Sequence, residues 1–345
     1  MYGSKQIYAW SGPTGQMWLD RVRHRIGALP RINPAARTSA RPPFPEPYQA
    51  AVIISADLEL AWAWRYVRDN PNPLQYALDK AGQSRRNFPK LIEMFDHYEI
   101  PITWAIVGHL FLEECSHEAS GAHPDIMRLR HFTNEYWAYQ DGDWFDADPC
   151  SDYGRAPAWY GPDLVAAILS ARMKHEIACH SFSHIVFTDG VCPPAVADSE
   201  LSKCQQIARQ AGQQLTSVVF PANLSGNLAS LKRCGFKAYR WHGRYELDVP
   251  RRDGHGLWQI PGGLCWEKRA AWPTRAWLDV LRLCLDRALQ TGTVLHLWFH
   301  PSCDPLNIET VFPLTLDTLA HYRNKVWVTT MAGMVSWLET GEELG

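Results

Sequence analysis

Residues 51–59 read AVIISADLE, and this stretch decides how the chain folds. The run 51–56 is apolar or small throughout, as in a strand buried on both faces. Two carboxylates, Asp57 and Glu59, stand at its C-terminal end. Alternation along a strand puts them on one side, with Leu58 opposite. Buried carboxylates need a counter-charge. A metal ion with a water supplies one reason for the pair. An N-cap, or a salt bridge to an arginine such as Arg65, supplies another.

Outward from this run, the chain alternates strands and helices. Further strand patterns are ITWAIV after Pro101, EIACH at 176–180, LTSVVF at 215–220, FKAYR at 236–240, LWQIP at 257–261, TVLHLWF at 293–299 and KVWVTT at 325–330. Helical patterns cover about 74–98, with Phe88, Leu91, Ile92 and Phe95 on one stripe, then 162–174, 227–234, 274–290, 313–323 and 331–340. Such alternation predicts an α/β fold of parallel strands with helices outside, as an open sheet or a barrel. There is no internal repeat. Residues 110–160, rich in aromatics, acids and glycines, break the alternation. They are expected to form either a functional lid or substrate wall, or a structural cover over a barrel edge. Ahead of the barrel, 14–28 predicts a short basic amphipathic helix with Met17, Trp18, Val22 and Ile26 on one face. It would pack on the body, or dock on a membrane surface or a partner. Residues 29–48 read as a Pro/Arg-rich linker or wrapping segment. The expected division is therefore 1–48 as N-terminal helix and linker, and 49–345 as the barrel with its insertion.

Composition narrows the function. The 345 residues carry 34 basic and 36 acidic side chains, with 46% hydrophobic and 20% charged residues. That is a globular composition without a charged block, so nucleic acid is not expected as a partner. The nine cysteines form no CxxC pair, so a zinc ribbon or redox dithiol is not expected and they read as reduced thiols. The N-terminal sequence has no basic stretch followed by an apolar run, and no stretch is long and apolar enough to span a membrane. The expectation is a cytoplasmic protein. With 14 histidines present, a metal site is the first thing to seek.

Two histidine patterns stand out. In EIACHSFSH, His180 ends a strand and His184 follows four residues later. If the chain enters a helical turn there, both imidazoles share one face and can share a divalent ion. HxxxH alone is common on surface helices, but sites in parallel α/β folds gather at the C-terminal ends of strands. In VLHLWFHP, period 2 puts His296, Trp298 and His300 on one face. His300 sits at the strand end, where it can act as an acid to a leaving amine. His296 lies deeper and reads as a hydrogen-bonded core residue. Trp62 and Trp64 follow the acidic pair and Trp298 precedes His300. Their indoles suit sugar stacking or, equally, core filling.

Taken together, SADLE, HSFSH and HLWFHP resemble the polysaccharide deacetylase family, the NodB-homology group of carbohydrate esterase family 4. Its members carry a paired-acid strand end, a His-Ser/Thr-x-x-His element and a late strand ending in a histidine. The resemblance spans about 50–335 and implies a distorted (β/α) barrel of about seven parallel strands. It implies His180 and His184 as ligands to one divalent metal ion, with zinc expected. Asp57 would be the base and Glu59 the third ligand, or the reverse, and His300 the acid. A backbone N–H near Ala222 would complete an oxyanion site, and Ala222, Asn223, Trp62, Trp64 and Trp298 are the substrate-binding candidates. The sequence departs from the family at VVFPAN, 218–223, which lacks the usual base-orienting arginine. Arg240 or Arg244, in YRWHGR, are the candidates to replace it. The implied reaction is removal of an N-acetyl or related N-acyl group from an amino sugar or similar small intracellular substrate. The alternatives are hydrolysis of another C–N amide bond, such as a ring amide or formamide, or a catalytically silent glycan-binding barrel.

Overall fold

The computed structural model describes residues 31–33, 43–119, 121–268 and 271–342. Strand β1 (Ala50–Leu58) is buried along its whole length. Ala51 and Ile53 face inward with Ala105, Ala178, Val219, Ala238 and Ile260. Val52, Ile54, Ala56 and Leu58 face outward into the larger core beneath the helices. The inner face mixes alanines with a few branched residues, which fills a narrow barrel with side chains.

From β1 the strands β2 (Thr103–Ile106), β3 (Glu176–Cys179), β4 (Ser217–Val219), β5 (Ala238–Trp241) and β6 (Trp258–Pro261) follow side by side, every pair parallel. Strand β7 (Val294–Phe299) lies parallel on the other edge of β1. Beyond β6 the chain turns at Gly262-Gly263 and pairs Leu264–Cys265 in parallel with β7, so the two ends of the sheet meet. A Cβ on Gly263, whose φ is +56°, would stand 1.9 Å from the His296 carbonyl oxygen. Only glycine allows that approach. This is the distorted barrel of seven parallel strands. Strand β8 (Val326–Thr329) adds parallel to the N-terminal half of β1. Two short antiparallel segments, Leu247–Asp248 on β7 and Arg251–Arg252 on β6, make the sheet mixed.

Seven helices pack around the described barrel: α1 (Pro73–Tyr98), α2 (Pro162–Ser170), α3 (Pro194–Gln210), α4 (Leu228–Arg233), α5 (Thr274–Thr291), α6 (Phe312–His321) and α7 (Met331–Thr340). Asn72 caps α1 by accepting from the Gln75 N–H, and Phe88, Leu91 and Phe95 are on its buried face. Helix α3 is not predicted by the sequence pattern. Its buried face includes Glu200 and Gln205 beside small Ala and Cys residues, which blurs the apolar period. Helix α7 and β8 close the barrel floor with Trp327, Met331 and Met334. There the buried Glu176 carboxylate accepts from Thr103 Oγ1 at 2.8 Å, from the Ala332 N–H at 2.8 Å and from Ser217.

The 110–160 segment holds two short strand pairs, His117–Glu118 with Gly121–Ala122 and Phe132–Thr133 with Ala138–Tyr139. Its Trp137, Tyr139, Trp144, Phe145, Trp159 and Tyr160 belong to the buried core, so its aromatics mainly fill the interior. The predicted helix at 14–28 lies outside the described residues. Of the linker, Ile32 bridges to Leu247 and Asn33 Nδ2 donates to Asp248 Oδ2 at 2.9 Å. Among the described residues no helix is long and apolar enough to cross a membrane. All nine cysteines are free thiols.

Candidate active site

Asp57, Glu59, His180, His184 and His300 all come from C-terminal strand ends or the turns just beyond them, and they gather at the mouth of the barrel. Inward alternation continues along β1 from Ile53 to Ser55, Asp57 and Glu59. Glu59 Oε1 stands 3.1 Å from His180 Nε2 and 3.1 Å from His184 Nε2. Candidate ligand atoms of Glu59, His180 and His184 lie within 4.8 Å of one another, as do those of Asp57, Glu59 and His300. All of these but His300 are buried. The His-Ser-Phe-Ser-His turn is not the first turn of a helix. Ser181 and His184 instead adopt left-handed backbone, φ +57° and +59°, and these two kinks bring the imidazoles together. Non-glycine residues held in that region are strained, and such strain concentrates at functional sites. Glu200 of α3 holds the turn from behind, accepting from the N–H groups of Phe182 and Ser183 and from Ser183 Oγ at 2.6–2.9 Å.

The donor set fits a divalent cation. His180 Nδ1 lies 2.7 Å from the Val219 carbonyl oxygen and donates to it, so Nε2 is the ring nitrogen turned toward the Glu59 carboxylate. Burial lowers the His184 pKa to about 4, against the opposing Glu59 charge, so this imidazole has a lone pair to offer a cation. Two imidazole nitrogens and a carboxylate oxygen gathered at this spacing are a donor set that suits a divalent ion.

Of the two arginines offered for the missing position, Arg240 is the one beside Asp57. It reaches across from β5 and grips Asp57 as a fork, Nη1 to Oδ1 at 2.7 Å and Nη2 to Oδ2 at 2.6 Å. Nη1 also donates to Ser55 Oγ and Nη2 to Asn223 Oδ1. Burial alone would raise the Asp57 pKa, but the Arg240 charge and its hydrogen bonds hold it below the usual carboxylate range. Arg244 plays no such part. It is exposed, with its guanidinium carbon 5.8 Å from the Tyr245 ring. Arg65 does not pair with the acids either. It donates to the carbonyls of Trp62 and Ser183 and lies over the Trp144 ring.

His300 faces this group from β7 and is 24% exposed. Its Nδ1 lies 2.8 Å from Glu267 Oε1, which also accepts the His300 backbone N–H. Burial opposes protonation of His300, but the Glu59, Glu267 and Asp57 carboxylates overcome it and raise the pKa to about 9. Glu267 was not visible in the sequence, where it lies in a stretch without pattern beyond the barrel-closing turn. His296 is the core residue expected, with Nε2 against Ser55 Oγ and Nδ1 on the Pro261 carbonyl, both at 2.8 Å.

The aromatic candidates separate. Trp62 is 1% exposed, donates Nε1 to the Trp159 carbonyl and lies 4.4 Å from the His109 ring. It is a core residue and cannot touch substrate. Trp64 and Trp298 are partly exposed, their rings 5.7 and 5.5 Å from that of His300. Beside them, Trp298 Nε1, His242 Nε2 and Arg240 Nε are buried without hydrogen-bond partners. Asn223 acts on Arg240 through its side chain, and its own N–H is bonded to the Phe220 carbonyl. Ala222, next to it, has left-handed backbone at φ +50°.

No family model and no curated relative matches the sequence. Solved structures do match over nearly the full described length. A protein named as a polysaccharide deacetylase from Pseudomonas aeruginosa PAO1 is 12% identical, with a TM-score of 0.60, covering 88% of this chain and 96% of that one. The chain has the polysaccharide deacetylase fold. A second protein of that name, from Mycobacterium smegmatis, matches with 13% identity and a TM-score of 0.58, covering 89% of this chain and 96% of that one. PuuE allantoinase shares the fold as closely, with 13% identity, a TM-score of 0.59, and coverage of 88% and 95%.

Proposed function

We propose that this chain is a metal-dependent hydrolase of a non-peptide C–N amide bond, removing an N-acetyl or related N-acyl group from an amino sugar or similar small intracellular substrate. One observation carries the reading: a carboxylate kept ionised by Arg240 and an imidazole whose protonated form is favoured by the Glu59, Glu267 and Asp57 carboxylates both border the Glu59–His180–His184 cluster. Base and acid are thus set apart in pKa by their surroundings, the condition for acid–base chemistry near neutral pH. Zinc fits two imidazoles and a carboxylate, and an ion held there would polarise the amide carbonyl and make water nucleophilic.

The protein groups do the rest. Both Asp57 oxygens are engaged by Arg240, which fixes the carboxylate plane and leaves a lone pair to take the proton of the attacking water. His300 donates a proton from Nε2 to the departing nitrogen, while Glu267 fixes the ring through Nδ1. The Ala222 N–H is the candidate donor to the oxyanion. Water adds across the C–N bond, giving a carboxylate and a free amine. Trp64 and Trp298 offer ring faces, and the unpartnered Trp298 N–H offers a donor to a substrate oxygen.

The equal likeness to an allantoinase favours a second reading within the same chemistry, opening of a ring amide. The test is a panel of N-acetylglucosamine-containing compounds, formamides and cyclic amides, scored for amine release and ring opening on wild type and Asp57→Asn. Turnover lost in the variant supports the proposal, and the preferred substrate chooses between the readings. Ligand binding without turnover, in protein shown to hold the ion, would refute both readings in favour of a silent binding barrel.

A further inference from the structure

The 110–160 segment carries a second set of ligating side chains, apart from the candidate active site. His109 stands on the turn after β2, and Cys115, His123 and Asp148 come from the segment itself. Their ligand atoms lie within 4.8 Å of one another. Asp148 Oδ2 is 2.8 Å from His123 Nε2, 3.1 Å from His109 Nε2 and 3.4 Å from Cys115 Sγ. The two imidazole Nε2 atoms are 3.1 Å apart. Around zinc, bonds of about 2.0–2.1 Å to nitrogen and oxygen put ligand atoms about 3.3 Å from one another at tetrahedral angles, and sulfur slightly farther. The observed spacings are close to that.

Hydrogen bonding leaves the contact between His109 Nε2 and Asp148 Oδ2 without a donor. His109 Nδ1, 3.2 Å from the Trp159 carbonyl, must donate to it. Neutral His109 therefore turns a bare Nε2 toward both Asp148 Oδ2 and His123 Nε2. The other carboxylate oxygen of Asp148 is already bonded to the Tyr160 hydroxyl and the Cys150 N–H, both at 3.0 Å. That fixes the carboxylate with Oδ2 aimed into the group, as outer partners of metal ligands do. His109 and the Asp148 side chain are fully buried and His123 nearly so.

We propose that His109, Cys115, His123 and Asp148 bind a second, structural zinc ion that pins the 110–160 segment to the barrel. Four protein ligands including a thiolate make a closed site, with no position for substrate. The sulfur selects zinc over magnesium, calcium or manganese. Cys115 binds as the thiolate, and its proton goes to solvent. The site backs directly onto the His180–His184 turn. Phe182, between those two histidines, packs 5.6 Å from the His109 ring and 5.2 Å from that of His123. The backbone N–H groups of Gly108 and His109 donate to the carbonyls of Ser181 and Phe182 at 2.8 and 2.9 Å.

Cobalt(II) loading of the full chain tests this, because sulfur-to-cobalt charge transfer reports a ligand that the Glu59–His180–His184 cluster does not have. The expected result is two ions per chain in wild type with the sulfur band present. One ion should remain in His180→Ala with the band kept, and one in Cys115→Ser with the band lost. His123→Ala should behave as Cys115→Ser, and both should melt at lower temperature than wild type when zinc is supplied. Should these two variants fail to fold, the wild-type spectrum and its His180→Ala counterpart still decide. A wild-type spectrum without the sulfur band would overturn the proposal, leaving a buried Asp–His hydrogen-bond network. So would a metal content unchanged in Cys115→Ser and His123→Ala. Loss of the active-site reading alone would show as one ion per chain with the band present.

Discussion

Replacing Arg240 with leucine removes the one side-chain cation bonded to Asp57 among the described residues while keeping much of the buried stem. Asp57 is 4% exposed, so its charge would be left deep in the barrel. Breaking a buried pair by deleting one partner costs about 3–5 kcal/mol. Ser55 Oγ and Asn223 Oδ1 lose a donor as well, which puts the expectation toward the upper part of that range. Part of the loss should be relieved by protonation. If about 3 kcal/mol falls on the carboxyl, at 1.36 kcal/mol per unit its pKa rises by about two units. The sign follows from the depressed Asp57 pKa of the wild type, whose stabilisation is present above the unfolded value and lost as pH falls through the folded one. In Arg240→Leu the carboxyl protonates first, so the stability gap to wild type should be widest near pH 7 and shrink on acidification. Urea unfolding at a series of pH values measures this, and the acid limb of kcat/KM, on whichever substrate the panel yields, should move up by about two pH units. Asp57→Asn in the Arg240→Leu background should recover stability by removing the stranded charge, though not activity. A loss under about 1 kcal/mol at pH 7 with an unmoved acid limb would refute the reasoning.

Glu267→Gln should move the alkaline limb of kcat downward from about pH 9, toward the ordinary histidine range, because His300 must be protonated to act and loses a carboxylate that raises its pKa. A pH–rate profile with an unchanged limb would assign the acid elsewhere. In His180→Ala, elemental mass spectrometry should find one equivalent of metal fewer per chain, and turnover should fall below detection. Trp62→Ala should lower stability by about 3–5 kcal/mol as a core truncation. Trp64→Ala should leave the unfolding midpoint nearly unchanged and raise KM, and the reverse pattern would exchange their assignments.

Much of this molecule can be read from one dimension because strand ends announce themselves. AVIISADLE, EIACHSFSH and VLHLWFHP each carry an apolar run, a stop and a polar group, and barrel topology brings such stops to one mouth. What escaped reading depends on contacts between distant segments. Arg240 is on the strand after the turn where the pattern places its arginine, and only the width of a small barrel lets it reach Asp57. Glu267 has no periodic neighbours to mark it. Helix α3 hides because its buried face holds Glu200, needed behind the histidine turn. Trp62 and Trp64 look alike in sequence, two residues apart, yet the turns after β1 send one ring into the core and leave the other at the site.

The aromatic segment over the histidine turn gives the barrel mouth a closed side and an open side. Trp137 stacks edge-on to His184 at 5.3 Å, and Trp144 donates to Ser183 Oγ at 2.9 Å, so nothing bulky passes there without loosening the ligands. The opposite side, with His300, Trp64 and Trp298, remains accessible. In the proposed reaction a substrate must therefore arrive with its acyl end leading and its nitrogen trailing beside His300. Tolerance should be asymmetric as a result: short acyl groups only, but wide latitude in what the amine is attached to.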